Sequence, residues 1–143
     1  VIRVTGQQVL DALEWGARAV PSENGGFLQV SGLTYEIHTG VASSAEKDEN
    51  GMFTRVSGEY RVKNVMVGGQ PLELDKTYTL ASHNYMLLGH GDGYTMFDGC
   101  EVLGEDMMVD NQVLITYITT TLGGVVGEQY ANPYGDGRIV AVE

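Results

Sequence analysis

Histidines, a glycine-rich loop with an aspartate, and aromatic residues beside polar ones are the features of this sequence that could do chemistry. The histidines are His38, His83 and His90, and no H-x-H, D-x-H or HExxH pattern places them in a recognisable metal motif. His90 and Asp92 are close in sequence, but two ligands do not complete a metal site. The sequence has no G-x-S-x-G nucleophile elbow and no Walker loop. It therefore predicts no catalytic residue and no metal site in this chain.

The glycine-rich run from Gly89 to Tyr94 (GHGDGY) predicts a tight loop that presents one carboxylate, that of Asp92. The run does not open a helix, so it does not have the anion-binding geometry of a helix N-terminus. Asp-Gly is also a common turn dipeptide, and an ordinary turn residue is the structural alternative for Asp92.

The segment 27–38 is predicted to be extended, and it carries a second candidate surface. Alternate side chains of a strand point to opposite faces, so Phe27 shares a face with Gln29 and Ser31. A large ring beside polar groups suits a ligand-binding surface. The structural alternatives are a core position for Phe27 and an ordinary surface position for Gln29.

Helices and strands must position these residues. Thr5 and Gln8 fit a capping box at the start of a helix, which Pro21 should end at about Val20. Residues 53–83 are predicted to be mostly strands, with a hairpin turn at Gly68-Gly69. Residues 43–51 are highly charged and are predicted to form a mobile, solvated loop.

The last third of the chain predicts a second helix and a closing strand. The helix should begin near Asp110 as its N-cap, and residues 138–142 should form the strand. The apolar stripe of this helix consists of Val113, Leu114, Tyr117, Ile118 and Leu122. Two helices among many strands, without regular alternation, predict an α+β fold in which a mixed β-sheet carries a few packed helices.

The net charge of the chain limits the classes of partner that it can bind. With 19 acidic and 8 basic residues, the net charge is -11, which opposes binding to nucleic acid or to an anionic membrane. The apolar runs are far shorter than the roughly 20 residues of a membrane span. Cys100 is the single cysteine, so the chain has no internal disulfide.

Four segments, taken together and in this order, resemble the C-terminal domain of the 5′-nucleotidase family. They are residues 4–10 (VTGQQVL), 25–32 (GGFLQVSG), 79–85 (TLASHNY) leading into 91–97 (GDGYTMF), and 137–139 (GRI). No single segment is decisive, because a lone GDG is a common turn, but the joint occurrence is specific and spans nearly the whole chain.

The resemblance implies roles for particular residues. Phe27 and Tyr85 would be the two rings that hold a nucleoside base, and Asp92 the acid that binds the ribose hydroxyls. Gln29 would touch the edge of the base, and Asn84 precedes the second ring in the motif. Stacking of a base on an aromatic face contributes on the order of 1–3 kcal/mol, and a carboxylate can accept two hydroxyl donors.

The sequence departs from the family pattern around the second ring. Tyr85 stands where phenylalanine is commoner, and His90 stands where a glycine is usual. Residues 86–91 are one residue longer than in the best-known members. Core packing is the alternative role for Tyr85, and it is the predicted role of Tyr94 and Phe97. The family's phosphate-facing arginine and ribose-facing asparagine would precede Val1.

The resemblance also implies that substrate binding and hydrolysis are carried out by two separate domains. Residues 1–143 would form one substrate-binding domain without a cofactor, and a separate N-terminal metallophosphatase domain with a pair of divalent metal ions would hydrolyse the phosphate ester. The expected partners are a nucleoside or nucleotide substrate and that N-terminal domain. By itself the chain is expected to be inactive, and family members are usually extracellular, cell-wall or periplasmic.

Two other functions are also compatible with the sequence. The chain could be a non-catalytic surface module that binds nucleosides, or it could belong to a family member that acts on nucleotide sugars or cyclic nucleotides. Motifs of the metallophosphatase type in the preceding sequence would distinguish the hydrolases from the binding module.

Overall fold

The computed structural model describes residues 1–143 and contains nine strands and three α-helices. The strands are β1 (Ile2–Thr5), β2 (Leu33–His38), β3 (Ala45–Lys47), β4 (Phe53–Val56), β5 (Val62–Val67), β6 (Gln70–Pro71), β7 (Thr77–Leu80), β8 (Glu101–Val102) and β9 (Ile139–Val142). The helices are α1 (Gly6–Ala17), α2 (Asn84–Leu87) and α3 (Asp110–Thr116). Short 3-10 turns occupy Gly91–Gly93, Thr95–Phe97 and Glu128–Tyr130, and a π turn, Tyr117–Thr121, follows α3.

The strands form three sheets. One has the order β7-β1-β8 and is antiparallel. The second has the order β6-β5-β2-β9, in which β2 and β9 are parallel and the other neighbours antiparallel. The third is the β3-β4 hairpin. The mixed sheet and the few helices, without regular alternation of strand and helix, confirm the predicted α+β class.

Helix α1 begins with the predicted capping box. Thr5 Oγ1 accepts from Gln8 N at 3.2 Å, and Gln8 Oε1 accepts from Thr5 N at 2.8 Å. The predicted end near Val20 is wrong, because the helix stops at Ala17. The chain tightens there into a turn in which Val20 N donates to Ala17 O, and Arg61 Nη1 donates to the carbonyls of both residues. An arginine from another element therefore satisfies the carbonyl groups at this helix end.

The core surrounds α1, which contacts β1, β4 and β5. Trp15 and Leu13 of α1 are almost fully buried, and the Trp15 and Phe53 rings pack in a T-shaped arrangement with their centroids 5.7 Å apart. Tyr94 and Phe97 are buried with their rings nearly parallel and 6.4 Å apart. The predicted core role of these last two residues is confirmed.

The predicted extended segment 27–38 is only half correct. Strand β2 begins at Leu33, and residues 27–30 belong to no sheet. Phe27 N donates to Asn24 O in a turn, and Gly32 adopts a left-handed backbone (φ 79°) that redirects the chain immediately before β2. The alternation that placed Phe27 and Gln29 on one strand face therefore does not apply to them.

The charged segment 43–51 is not simply a loop. Its first part forms β3, which pairs with β4, and Glu46 makes an ion pair with Arg55 at 2.7 Å. Only the tip is a turn, in which Asp48 Oδ1 accepts from the backbone N–H groups of Asn50 and Met52. Cross-strand pairing of opposite charges explains why a charged sequence forms a strand here.

The second helix begins at the predicted place but does not pack as predicted. Val109, not Asp110, is the N-cap of α3, and the helix contributes no buried residue. Its apolar stripe is largely exposed, with Val113, Leu114 and Tyr117 all more than two-fifths accessible. Helix α3 lies on an arm (residues 103–138) and packs mainly against its own π turn. No helix of the structure has the length and apolar character needed to cross a membrane.

Candidate functional site

Two loops from distant parts of the sequence pack directly against each other at Gly26 and Asp92. Gly26 is buried, and a Cβ atom at this position would lie 2.9 Å from Asp92 Cβ and 3.2 Å from its Cγ. Glycine is therefore required at position 26 if the two loops are to keep this approach. The contact brings the segment before Phe27 next to the glycine-rich loop.

Two core side chains fix the backbones of these loops. The Tyr94 hydroxyl donates to Gly26 O at 2.5 Å, and Trp15 Nε1 donates to Asp92 O at 2.9 Å. Both rings are almost completely buried. Burial raises the pKa of Tyr94 well above its ordinary value, so its hydroxyl remains a donor. The hydrophobic core thus positions both candidate loops through hydrogen bonds.

Tyr85 lies over the glycine-rich loop. Its side chain projects from the first turn of α2 and is 60% exposed. A Cβ atom at Gly91 would fall 2.2 Å from Tyr85 Cε1 and 2.3 Å from Cδ1, so the ring contacts the bare backbone of that glycine. An exposed aromatic ring therefore stands one residue away from the Asp92 backbone.

The glycine-rich loop has an unusual backbone. His90 and Asp92 adopt left-handed conformations with φ values of 55° and 54°, and Gly93 follows with 83°. Gly93 N donates to His90 O at 2.9 Å. His90 Nε2 contacts Asp98 Oδ1. Asp92 is exposed and its carboxylate makes no hydrogen bond within the protein, which leaves its oxygens free to accept hydroxyl donors.

The remaining predicted site residues, Phe27, Gln29 and Asn84, differ in how far they are buried and in what they contact. Phe27 is half-buried and packs against the hydrophobic core. Gln29 is exposed, near the Gly26–Asp92 contact in sequence. Asn84 is exposed, and its Oδ1 accepts from Tyr85 N at 2.9 Å at the start of α2. The structure therefore unites Asp92, Tyr85 and the loop that precedes Phe27.

Arg18 is a further polar residue of this region that the sequence analysis did not identify. Its guanidinium lies over the Trp15 ring at 3.7 Å, and its Nη1 donates to Trp15 O at 2.6 Å. Burial lowers the pKa of Arg18, while the negative charge of the nearby Asp92 carboxylate opposes that shift. The i, i+3 spacing of Trp15 and Arg18 across the end of a helix was the available sequence signal.

A cleft of about 680 Å³ lies beside Tyr85 and Asp92, between α2, the end of β7 and the arm. His83 and Asn84 line one wall, and Met107, Met108 and Val113 line the other. Asp92 and Tyr85 are not among its lining residues. No three His, Cys, Asp or Glu side chains in residues 1–143 are arranged to hold a metal ion.

Comparisons with known proteins point to one family. Residues 1–99 match the model of the family described as 5′-nucleotidase, C-terminal domain. A trifunctional nucleotide phosphoesterase, protein YfkN of Bacillus subtilis, is 30% identical over 142 residues, which cover 99% of this chain. A 5′-nucleotidase of Vibrio vulnificus is 29% identical over 115 residues, which cover 80% of this chain.

Solved structures agree with the sequence comparisons. The crystal structure of a 5′-nucleotidase precursor from Thermus thermophilus matches 99% of this chain with a TM-score of 0.72 and 26% identity. The chain covers only 24% of that protein, 17% of the Vibrio relative and 8% of the Bacillus relative. Each similar protein is thus several times longer than the 143 residues described here.

Proposed function

The chain belongs to the 5′-nucleotidase C-terminal domain family, and on that basis we propose that it binds the nucleoside part of a nucleotide and orients it for hydrolysis. In this proposal Phe27 and Tyr85 stack on the two faces of the base, and Asp92 accepts hydrogen bonds from the ribose hydroxyls. Gln29 and Asn84 supply polar contacts at the edge of the site.

The observation that best supports this proposal is the joint approach of Tyr85 to Gly91 and of Asp92 to Gly26. An exposed ring, an unpaired carboxylate and the loop leading to Phe27 come from three separate sequence segments. Stacking requires a ring with a free face, and a ribose diol requires an acceptor with two free lone pairs. Across a bound base the two rings should stand roughly 7 Å apart, because each stacked contact needs about 3.5 Å.

We propose further that the complete protein is a phosphoester hydrolase. A preceding metallophosphatase domain would carry the pair of divalent metal ions and activate the attacking water. The residues of this chain do not offer a ligand set for such ions, and their contribution is the orientation of the substrate. An extracellular, cell-wall or periplasmic location belongs to the same proposal.

On this account residues 1–143 alone do not hydrolyse nucleotides. The chain should release no phosphate from AMP in the presence of Mn²⁺, Zn²⁺ or Co²⁺. Turnover above a buffer blank that disappears when a residue of this chain is changed would contradict the proposal.

A substitution of Asp92 tests the binding role most sharply. Asp92→Asn should weaken adenosine binding more than adenine binding, because only the riboside presents a diol. Asp106→Asn is a matched control, since Asp106 is also an exposed aspartate with a left-handed backbone (φ 47°) but lies on the arm. Equal loss of adenosine and adenine, or an unchanged affinity for adenosine, would show that Asp92 does not bind ribose.

The name of the Bacillus relative, a trifunctional nucleotide phosphoesterase, supports a second candidate with a wider range of substrates. A domain that recognises only base and ribose would accept nucleotide sugars as well as mononucleotides. In a 2′,3′-cyclic nucleotide both ribose hydroxyls are esterified, so this ligand should keep the stacking contacts, lose the hydrogen bonds to Asp92 and bind more weakly. Competition of a nucleotide sugar and a 2′,3′-cyclic nucleotide with adenosine for the wild-type chain measures that range. Non-catalytic nucleoside binding would be indicated if the complete protein bound nucleosides without hydrolysing any of these esters.

A further inference from the structure

We propose that His90 and Asp98 act as a positioning pair that holds the glycine-rich loop in the shape required for nucleoside binding. The inference rests on the proposed nucleoside site and adds two residues to it. Neither side chain is expected to touch the ligand. Their task is to keep the Gly91 backbone beneath Tyr85 and the Asp92 carboxylate in reach of the ribose.

The backbone of the glycine-rich loop adopts a conformation that other contacts must stabilise. His90 and Asp92 are not glycines, yet both adopt left-handed conformations, which cost free energy for residues with a Cβ atom. Such conformations persist only where the surrounding structure imposes them. Gly91, between them, carries the Tyr85 ring on its bare Cα. A shift of His90 would therefore move the surface on which Tyr85 rests.

The two halves of the loop are held by different contacts. Trp15 Nε1 binds the Asp92 carbonyl from the core side. On the solvent side, the His90 ring contacts Asp98 through Nε2 and Oδ1. Asp98 is itself fixed, because its N–H donates to Thr95 O at 3.0 Å and it follows the buried Phe97. The side-chain contact thus ties the start of the loop to a turn that is anchored in the core.

This arrangement predicts an effect on binding that is separate from stability. The His90 and Asp98 side chains are 44% and 60% exposed, and exposed pairs of this kind contribute little to folding. Their loss should leave the free energy of unfolding nearly unchanged. Because the loop carries Asp92 and supports Tyr85, the same loss should reduce the affinity for a nucleoside.

The test uses three variants of residues 1–143: His90→Asn, Asp98→Asn and the double variant. Asparagine tolerates the left-handed backbone at position 90, so the change removes the imidazole without forcing a new backbone. His38→Asn is a matched control, because His38 contacts Glu36 at 3.0 Å in a second partly exposed pair on β2. Adenosine affinity is measured by NMR titration, and stability by denaturant unfolding.

Each single variant should bind adenosine about three- to fivefold more weakly, and the double variant should be no weaker than either single variant. Asp98→Glu, which retains the carboxylate, should recover more affinity than Asp98→Asn. The control should bind like wild type. If wild type binds adenosine at Tyr85 and Asp92 while both single variants bind within twofold of it, the positioning pair is refuted and the nucleoside site stands. If wild type itself shows no binding there, the nucleoside site is refuted.

Discussion

The Tyr85 ring lies on the Cα of Gly91 so closely that a methyl group at Gly91 would come within 2.2 Å of Cε1. Gly91→Ala should therefore displace the ring from the candidate site. Gly91 has no left-handed backbone, so alanine is compatible with its conformation, and the exposed Tyr85 can move without disturbing the core. We expect adenosine affinity to fall by about tenfold, as for the loss of one stacked face, with little change in the free energy of unfolding.

Gly40→Ala provides the control for this substitution. Gly40 lies in the turn after β2, away from the candidate site, its backbone is not left-handed, and a Cβ atom there would meet nothing within 4 Å. The Gly40→Ala variant should bind adenosine like wild type. A Gly91→Ala variant that also bound like wild type would show that the position of Tyr85 is irrelevant to the ligand.

Two buried polar residues, Glu14 of α1 and Arg61, should matter for stability. Arg61 is 3% exposed and Glu14 is fully buried. Glu14 Oε2 accepts from Val62 N at 2.9 Å, and burial raises the pKa of this carboxyl although that hydrogen bond and the Arg61 charge act in the opposite direction. Arg61→Met would leave the Glu14 group without its neighbouring charge and the carbonyls of Ala17 and Val20 without a donor.

We expect Arg61→Met to lower the free energy of unfolding by about 3 kcal/mol, because it leaves two carbonyl acceptors without a donor and a buried carboxyl without a nearby positive charge. Arg55→Met, which removes an exposed ion pair with Glu46, should change the free energy of unfolding far less, because exposed ion pairs contribute little to stability. Denaturant unfolding of both variants measures the difference. Equal effects of the two substitutions would mean that the buried Arg61 contributes no more to stability than a surface arginine.

Buried tyrosines should make the fold sensitive to alkali. Burial raises the pKa of Tyr35 to about 12 from its ordinary value of 10.0. The unfolded chain loses this proton near pH 10 while the folded chain keeps it, so the stabilising contribution is complete below pH 10 and is lost as the pH rises towards 12. Each unit of pKa difference corresponds to about 1.4 kcal/mol, so the ionisation of Tyr35 alone should lower the free energy of unfolding by about 3 kcal/mol.

Unfolding in denaturant, repeated across this range of pH, measures the loss, and tyrosinate absorbance reports the ionisation. Tyr35→Phe should be less sensitive to pH between 10 and 12 than wild type. Wild-type stability that stayed constant over the same interval would contradict the burial of the tyrosine hydroxyls.

Local signals predicted local structure correctly. The capping box of Thr5 and Gln8 and the hairpin turn at Gly68-Gly69 depend on neighbours in sequence, and both are present. The segment that begins at Phe27 was predicted to be a strand because its composition suits one. Its turn depends instead on a hydrogen bond to Asn24 and on the left-handed Gly32, which periodicity does not report.

Tertiary relationships could not be predicted in the same way. The contact of Gly26 with Asp92 depends on where Trp15 and Tyr94 place their polar atoms, and no spacing in the sequence encodes it. The apolar stripe of α3 correctly predicted a helix, but amphipathic periodicity does not specify what a helix packs against. The family resemblance identified candidate residues, and their geometry emerged only from the fold.

The most direct test of the central claim is an amide NMR titration of wild-type residues 1–143 with adenosine. Two stacked faces and one carboxylate contact, reduced by the entropy of association, predict a dissociation constant in the high micromolar to millimolar range. The shifted amides should cluster at residues 25–29, 84–86 and 90–93, and AMP should bind no more tightly than adenosine because the chain carries a charge of -11. Saturable shifts confined to the arm (residues 103–138), or no saturable shifts at all, would contradict the nucleoside site.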